Sequence, residues 1–217
     1  MSGGELLDPW DYAQLRARLV DSLADPTRLV QRAQRRAALS PELSYGRHFG
    51  PPSPLARRAA VMLLLEPRDG QWTIPLTVRP DHLPDHPGQI SLPGGGLEGP
   101  ESYRQAAVRE FGEELGCIPF PGEILGELLP LYVYGSDYYV MPFVSICSGP
   151  LQYVPCPYEV QRLVHLPLRY LLDPHSLRRQ QFSRGSTRWT APLFEYQGAV
   201  VWGATAIILS ELSALLA

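Results

Sequence analysis

Three glutamates fall within five positions of the segment "VREFGEELG": Glu110, Glu113 and Glu114, with Arg109 directly before them. On a helix, residues three and four apart are surface neighbours, so these carboxylates would share one face and repel one another. The same spacing brings hard oxygen ligands to one helical turn, where a divalent cation such as Mg²⁺ would remove the repulsion while keeping part of its water shell. A solvated acidic face is the plainer alternative, and the glutamates alone do not decide between the two.

The flanking residues indicate how such a cluster would be held. Gly99-Pro100 reads as a helix start with proline in the first turn, and Gly116 stands where a glycine would end the helix. Ala107, Phe111 and Leu115 recur at i, i+4 and i+8 and predict the stripe that faces the core. Glu110 and Glu114 are each one position away from that stripe, so the acidic cluster should border the buried face. Just upstream, Gly94, Gly95 and Gly96 form a loop into the helix, where glycine permits close approach of the backbone.

The rest of the chain must position this helix. With 217 residues and 45% hydrophobic content, one domain with an extension is expected. A net charge of -3 gives no general footprint for nucleic acid or an anionic membrane. Lysine is absent, so all 19 basic residues counted as Lys+Arg are arginines. Cys117, Cys147 and Cys156 match neither a zinc cluster nor a redox pair, which predicts free thiols in a reducing compartment. The N-terminus has neither the basic nor the apolar region of a signal peptide, and no apolar run suits a membrane span, so a soluble cytoplasmic protein is expected.

Asp8-Pro9 reads as the start of an opening helix, on which Tyr12, Leu15, Leu19 and Leu23 recur at helical spacing, and residues 27–37 read as a second helix. A Pro/Ser/Gly-rich connector follows. "AAVMLLLEP" and "WTIPLTVR", separated by "RDGQ", predict a β-hairpin. "GELLPLYVYG", "YYVMPFVSIC" and the residues around "VVWG" are further strand candidates, with Trp202 assigned to the core. The last segment reads as a helix with Ile208, Leu212 and Leu215 on one face. Strands mixed with a few helices, without βαβ spacing, predict an α+β fold. The expected division is a helical extension and connector over residues 1–56 and a catalytic domain over residues 57–217.

Gly95, Glu101, Arg109-Glu110, Glu113-Glu114 and Gly116 fill the fixed positions of G-x5-E-x7-R-E-U-x-E-E-x-G-U, where U is bulky and apolar. The chain therefore resembles the Nudix hydrolase family, with Phe111 and Cys117 standing where the family usually carries aliphatic residues. The resemblance implies a mixed sheet packed between helices and hydrolysis of a nucleoside diphosphate linked to another group. It implies Glu110, Glu113 and Glu114 as ligands of Mg²⁺, or of Mn²⁺ as a substitute, with a backbone carbonyl of Gly94 or Gly95 completing the protein's share. Arg109 would hold a glutamate in place, Glu101 would serve structurally in the first turn of the helix, and Glu114 or a group outside the box would take the proton of the attacking water.

Upstream, "LTVRPDHLPDHPGQISLPGG" resembles the signature of the coenzyme A pyrophosphatase branch. This resemblance implies cleavage of coenzyme A or a derivative to 3′,5′-ADP and 4′-phosphopantetheine, with Arg79, His82, His86 and Gln89 as candidate substrate-binding residues. Arg79 is the first candidate for the 3′-phosphate. Pro84 replaces the usual arginine and Leu92 the usual phenylalanine. The alternatives are another diphosphate such as NADH, ADP-ribose or a dinucleoside polyphosphate, and a nucleotide-binding regulator without activity. The expected partner is a small molecule.

Overall fold

Asp69 and Gly70 have φ of 50° and 75°, the left-handed pair that a two-residue type I′ hairpin requires. They fold β1 (Arg57–Arg68) back onto β2 (Gln71–Val78), and around this hairpin the computed structural model, which describes residues 9–42, 50–82 and 88–217, builds a mixed sheet. β1 runs parallel to β7 (Tyr138–Ile146) and antiparallel to the short β4 (Gly94–Gly96). β3 (Ile90–Ser91) and β8 (Arg162–Pro167) pair with β2, while β5 (Glu123–Glu127) and β6 (Leu131–Val133) pair with β7.

Period-two alternation along β1 divides the core. Ala60, Met62 and Leu64 pack with Ala106, Ala107, Phe111 and Leu115 of α3 (Tyr103–Leu115). Leu63 and Leu65 join a larger core with Leu15 and Leu19 of α1 (Tyr12–Ala24), Leu168 and Leu171 of α4 (Leu168–Leu172), and α5 (Gly203–Leu216). The sheet thus lies between helices, the α+β arrangement expected from the sequence.

The helix starts differ from the expectation. α1 is capped by Asp11, whose side chain accepts from Gln14 N at 2.8 Å while Gln14 Oε1 accepts from Asp11 N at 2.9 Å; Asp8 lies outside the described residues. α3 likewise begins after Ser102, which forms a capping box with Gln105, and not at Pro100. A side chain that satisfies N–H donors fixes the first turn more strongly than proline's preset φ. Glu101 therefore precedes the helix and is held by an ion pair instead of a place in the first turn.

Proline at 130 splits the single strand read from "GELLPLYVYG" into β5 and β6. β3, β4, β8, β9 and β10 were not expected. β9 (Leu177–Arg184) and β10 (Thr187–Tyr196) form a second antiparallel sheet with β11 (Ala199–Trp202), and "LRRQQFSR" has too few apolar residues to signal a strand. Trp202, expected in the core, is half-buried on the outside of this sheet. Its ring stacks on Phe182 at 4.9 Å, and Phe182 stacks on Trp189 at 5.9 Å. α5 is buried on almost every side and not along one stripe, because it is packed between α1 and α2 (Leu29–Ala38) and the second sheet.

A buried ionic network joins the two ends of the chain. Glu211 on α5 is fully buried and accepts from Arg32 Nε at 2.9 Å and from Leu129 N at 2.9 Å. Arg36 Nε is 3.5 Å from its other oxygen, and Arg36 Nη2 donates to Pro130 O at 2.8 Å.

Candidate functional site

The glutamates of α3 face β4, and the contact depends on glycine. A Cβ at Gly95 would lie 2.5 Å from the Glu110 carboxylate, and one at Gly94 would collide with Ala60 O and Val61. Gly94 N donates to Glu114 Oε2 at 3.2 Å, so strand and helix are tied at the acidic face itself. Gly116 ends the helix in the left-handed region, with φ of 72° and its N–H on Gly112 O at 2.8 Å. It also does something the sequence did not reveal: a Cβ there would stand 2.7 Å from Val154 O, so the glycine lets another segment press against the helix end.

Arg109 is the hub of the cluster. Its guanidinium holds Glu101 through Nη2 at 2.8 Å and Nε at 3.2 Å, Glu110 at 3.0 Å, Glu113 at 2.8 Å and Gly96 O at 3.0 Å. These carboxylates raise its own proton affinity further, chiefly through Glu101, so it is a permanent cation. Glu101 in turn accepts from Glu98 N at 2.6 Å, which locks the loop between β4 and α3.

Glu114 is only 8% exposed. Burial pushes its carboxyl up to about 8, with the Gly94 N–H opposing and the charges of Glu110 and Glu159 adding to the rise. Burial also raises Glu110, partly countered by Arg109. The site thus holds two partly desolvated carboxylates whose ionised forms lack sufficient positive partners. That surplus of negative charge suits a divalent cation, and oxygen donors on one helical turn are the ligand type Mg²⁺ and Mn²⁺ favour. Among the described residues no three acidic, histidine or cysteine side chains converge on one point as they stand. Glu113 is turned to Arg109, so ligation by all three glutamates requires that side chain to swing.

Arg79, half-buried at the end of β2, lies close enough to Glu114 to lower its proton affinity. Its N–H donates to Gln89 O at 2.9 Å and its carbonyl accepts from Gly88 N at 3.1 Å, which brings Gln89 back beside the site. His82 is exposed on the turn that follows, and His86 lies outside the described residues. Glu159 was missed: it follows "VPCPY" in a segment with no motif, yet its charge reaches both Glu110 and Glu114. Only the fold brings it there.

Cys117, Cys147 and Cys156 are free thiols. Burial pushes the Cys117 thiol up and the Cys147 thiol up to about 11, so both are poor nucleophiles. No helix among the described residues is long and apolar enough to cross a membrane.

A family model described as the NUDIX domain matches residues 56–166. The peroxisomal coenzyme A diphosphatase NUDT7 of Mus musculus is 31% identical over 143 residues, which are 65% of this chain and 60% of that protein. The chain therefore spans less than two thirds of that relative. A Nudix hydrolase NudL, described as uncharacterized, of Enterobacter sp. (strain 638) is 35% identical over 163 residues, covering 73% of this chain and 83% of that protein. Among solved structures, a MutT/nudix family protein from Enterococcus faecalis aligns over 95% of this chain and 75% of its own, at 15% identity and a TM-score of 0.49.

Proposed function

The chain belongs to the Nudix hydrolase family, enzymes that act on phosphorus anhydrides with divalent metal ions, and from that premise we propose that it hydrolyses the diphosphate of coenzyme A or a close derivative. The products would be 3′,5′-ADP and 4′-phosphopantetheine. The observation that carries this reading is the run from Leu76 to Gly95, which resembles the coenzyme A signature in sequence and leads through Arg79 directly to the glycines against Glu110 and Glu114. The coenzyme A diphosphatase of mouse adds support at 31% identity.

Glu110 and Glu114, with Glu113 released from Arg109 and a carbonyl of Gly94 or Gly95, would hold Mg²⁺ or Mn²⁺. Bound there, the cation would neutralise the diphosphate and lower the pKa of an attacking water. Arg109 bridges Glu101, Glu110 and Glu113, offsetting their mutual repulsion, and fixes the β4 loop through Gly96 O. Glu159, exposed and close to both buried carboxylates, is the candidate for accepting the water's proton.

The Arg79 charge opposes the rise of the Glu114 carboxyl, which supports a contact with the scissile diphosphate in place of the 3′-phosphate. A charge-assisted contact is worth about 1.5–3 kcal/mol, or about ten- to a hundredfold. Arg79→Ala is therefore expected to reduce kcat/KM by that factor for coenzyme A and for its 3′-dephospho form alike. A loss confined to coenzyme A would assign Arg79 to the 3′-phosphate.

The raised Glu110 and Glu114 carboxyls also set a pH dependence. Between the usual carboxylate range and about 8, the folded metal-free protein keeps a proton on Glu114 that the unfolded chain has released. Its stability is thus full at low pH and falls as pH rises through that window. Thermal midpoints in EDTA should decline from pH 5 to 8.5 in the wild type and less steeply in Glu114→Gln. Equal slopes would show that Glu114 is an ordinary carboxylate.

A further inference from the structure

We propose that Glu66 and Arg68, at the end of β1, are positioning residues that hold the strap of residues 151–160 and so set Glu159 in the catalytic site. The proposal rests on the reading of Glu159 given above. Glu66 is fully buried, and a carboxylate in that environment needs a reason to be ionised. Burial alone would push it up, but His165, the Leu151 N–H and Arg68 together hold it below the usual range.

Those partners form a clip on one peptide. Glu66 Oε2 accepts from Leu151 N at 2.9 Å, and Arg68 Nη2 donates to Leu151 O at 2.8 Å, so the ion pair captures both backbone groups of Leu151 as a neighbouring strand would. Arg68 Nε is 3.2 Å and His165 Nδ1 3.1 Å from Glu66 Oε1. Two residues on, Tyr153 lies under the Arg68 guanidinium at 5.7 Å, with its hydroxyl toward the same carboxylate.

From the clip, the strap runs along the catalytic helix. Val154 N donates to Leu115 O at 2.9 Å and Cys156 N to Glu114 O at 2.8 Å, satisfying carbonyls that the end of α3 leaves open. Gly116 allows this approach because any side chain would strike Val154. Glu159 N and Val160 N then both donate to Cys156 O, at 3.1 and 2.8 Å, turning the chain beside the acidic face, and Gln161 N closes onto Val78 O at 2.8 Å, next to Arg79. The strap is fixed at its start by the clip, in its middle by the carbonyl of the very glutamate at the centre of the site, and at its end by the strand that carries Arg79. An exposed Glu159 has no ion pair of its own among the described contacts, so its position comes from this backbone path. Freeing Leu151 would leave the first anchor undone and move Glu159 by a displacement of the size that can reduce turnover about a hundredfold.

A double-mutant cycle tests this on whichever nucleoside diphosphate the wild type cleaves, so its outcome does not depend on coenzyme A being the substrate. Turnover at saturating Mn²⁺ is measured for Arg68→Met, Glu159→Gln and the double variant, with a thermal midpoint for each; if Arg68→Met does not fold, the paired changes Glu66→Met and Arg68→Met, which free Leu151 without leaving a buried charge unpaired, take its place. Each single change is expected to lower kcat about tenfold or more with KM little changed, and the double variant to be no slower than Glu159→Gln. Multiplicative losses would mean that Arg68 supports the fold and not Glu159, which overturns the proposal. Wild-type kcat in folded Arg68→Met overturns it as well and leaves the role of Glu159 intact. Wild-type kcat in Glu159→Gln overturns the role of Glu159 and the strap together.

Discussion

Glu114→Gln should abolish at least about 99% of turnover, a loss of ~10²-fold or more, while the protein stays folded. Glutamine has the same shape and keeps an oxygen to accept from Gly94 N, now 3.2 Å from Glu114 Oε2. What it removes is the charge that burial, Glu110 and Glu159 all disfavour in the metal-free protein. The variant should therefore be no less stable than the wild type without metal, and more stable above neutral pH. Lower activity with equal or higher stability is a combination that damage to the core cannot produce. Near-full activity in the folded variant would remove Glu114 from the site.

The largest effect on stability is expected far from the glutamate helix, at Glu211. Its carboxylate is fully buried between Arg32 and Arg36, themselves 4% and 3% exposed. Glu211→Ala would leave two cations one helical turn apart in the core and deprive Leu129 N of its acceptor. Removing one partner of a buried ion pair typically costs about 3–5 kcal/mol, mostly from the charge left behind. Urea denaturation should show a loss of that size, comparable with much of the stability of a domain. A change below about 1 kcal/mol would mean that the arginines reach water when the partner is gone. Triple replacement of Arg32, Arg36 and Glu211 by apolar residues of similar volume should recover most of the loss, because the penalty comes from the unpaired charge and not from missing contacts.

What the sequence disclosed and what it withheld follow from how local each signal is. The hairpin was legible because Asp69-Gly70 specifies its turn within two residues, and the end of α3 because Gly116 is needed for a left-handed cap. The start of α3 reads at Pro100 in the sequence, but the capping box of Ser102 and Gln105 starts the helix at Tyr103. β9 was hidden because Arg178, Arg179, Gln180 and Gln181 are all exposed, so this edge strand buries neither face and shows no apolar alternation. The cluster of Arg109, Glu110, Glu113 and Glu114 was visible as a spacing, yet the orientation of Glu113 toward Arg109 was not, because rotamers are chosen among ion pairs that only the loop from Gly96 to Glu101 supplies. Glu159 and the Glu66–Arg68 clip depend on contacts between residues 85 and 83 positions apart in the chain. No local pattern encodes such contacts.

The most direct measurement is the product analysis of coenzyme A incubated with the protein and Mg²⁺, read by mass spectrometry beside NADH, ADP-ribose and a dinucleoside polyphosphate. Cleavage of coenzyme A to 3′,5′-ADP and 4′-phosphopantetheine, faster than cleavage of the others and absent in EDTA, is the result expected. Intact coenzyme A in a preparation that cleaves one of the other diphosphates would contradict it.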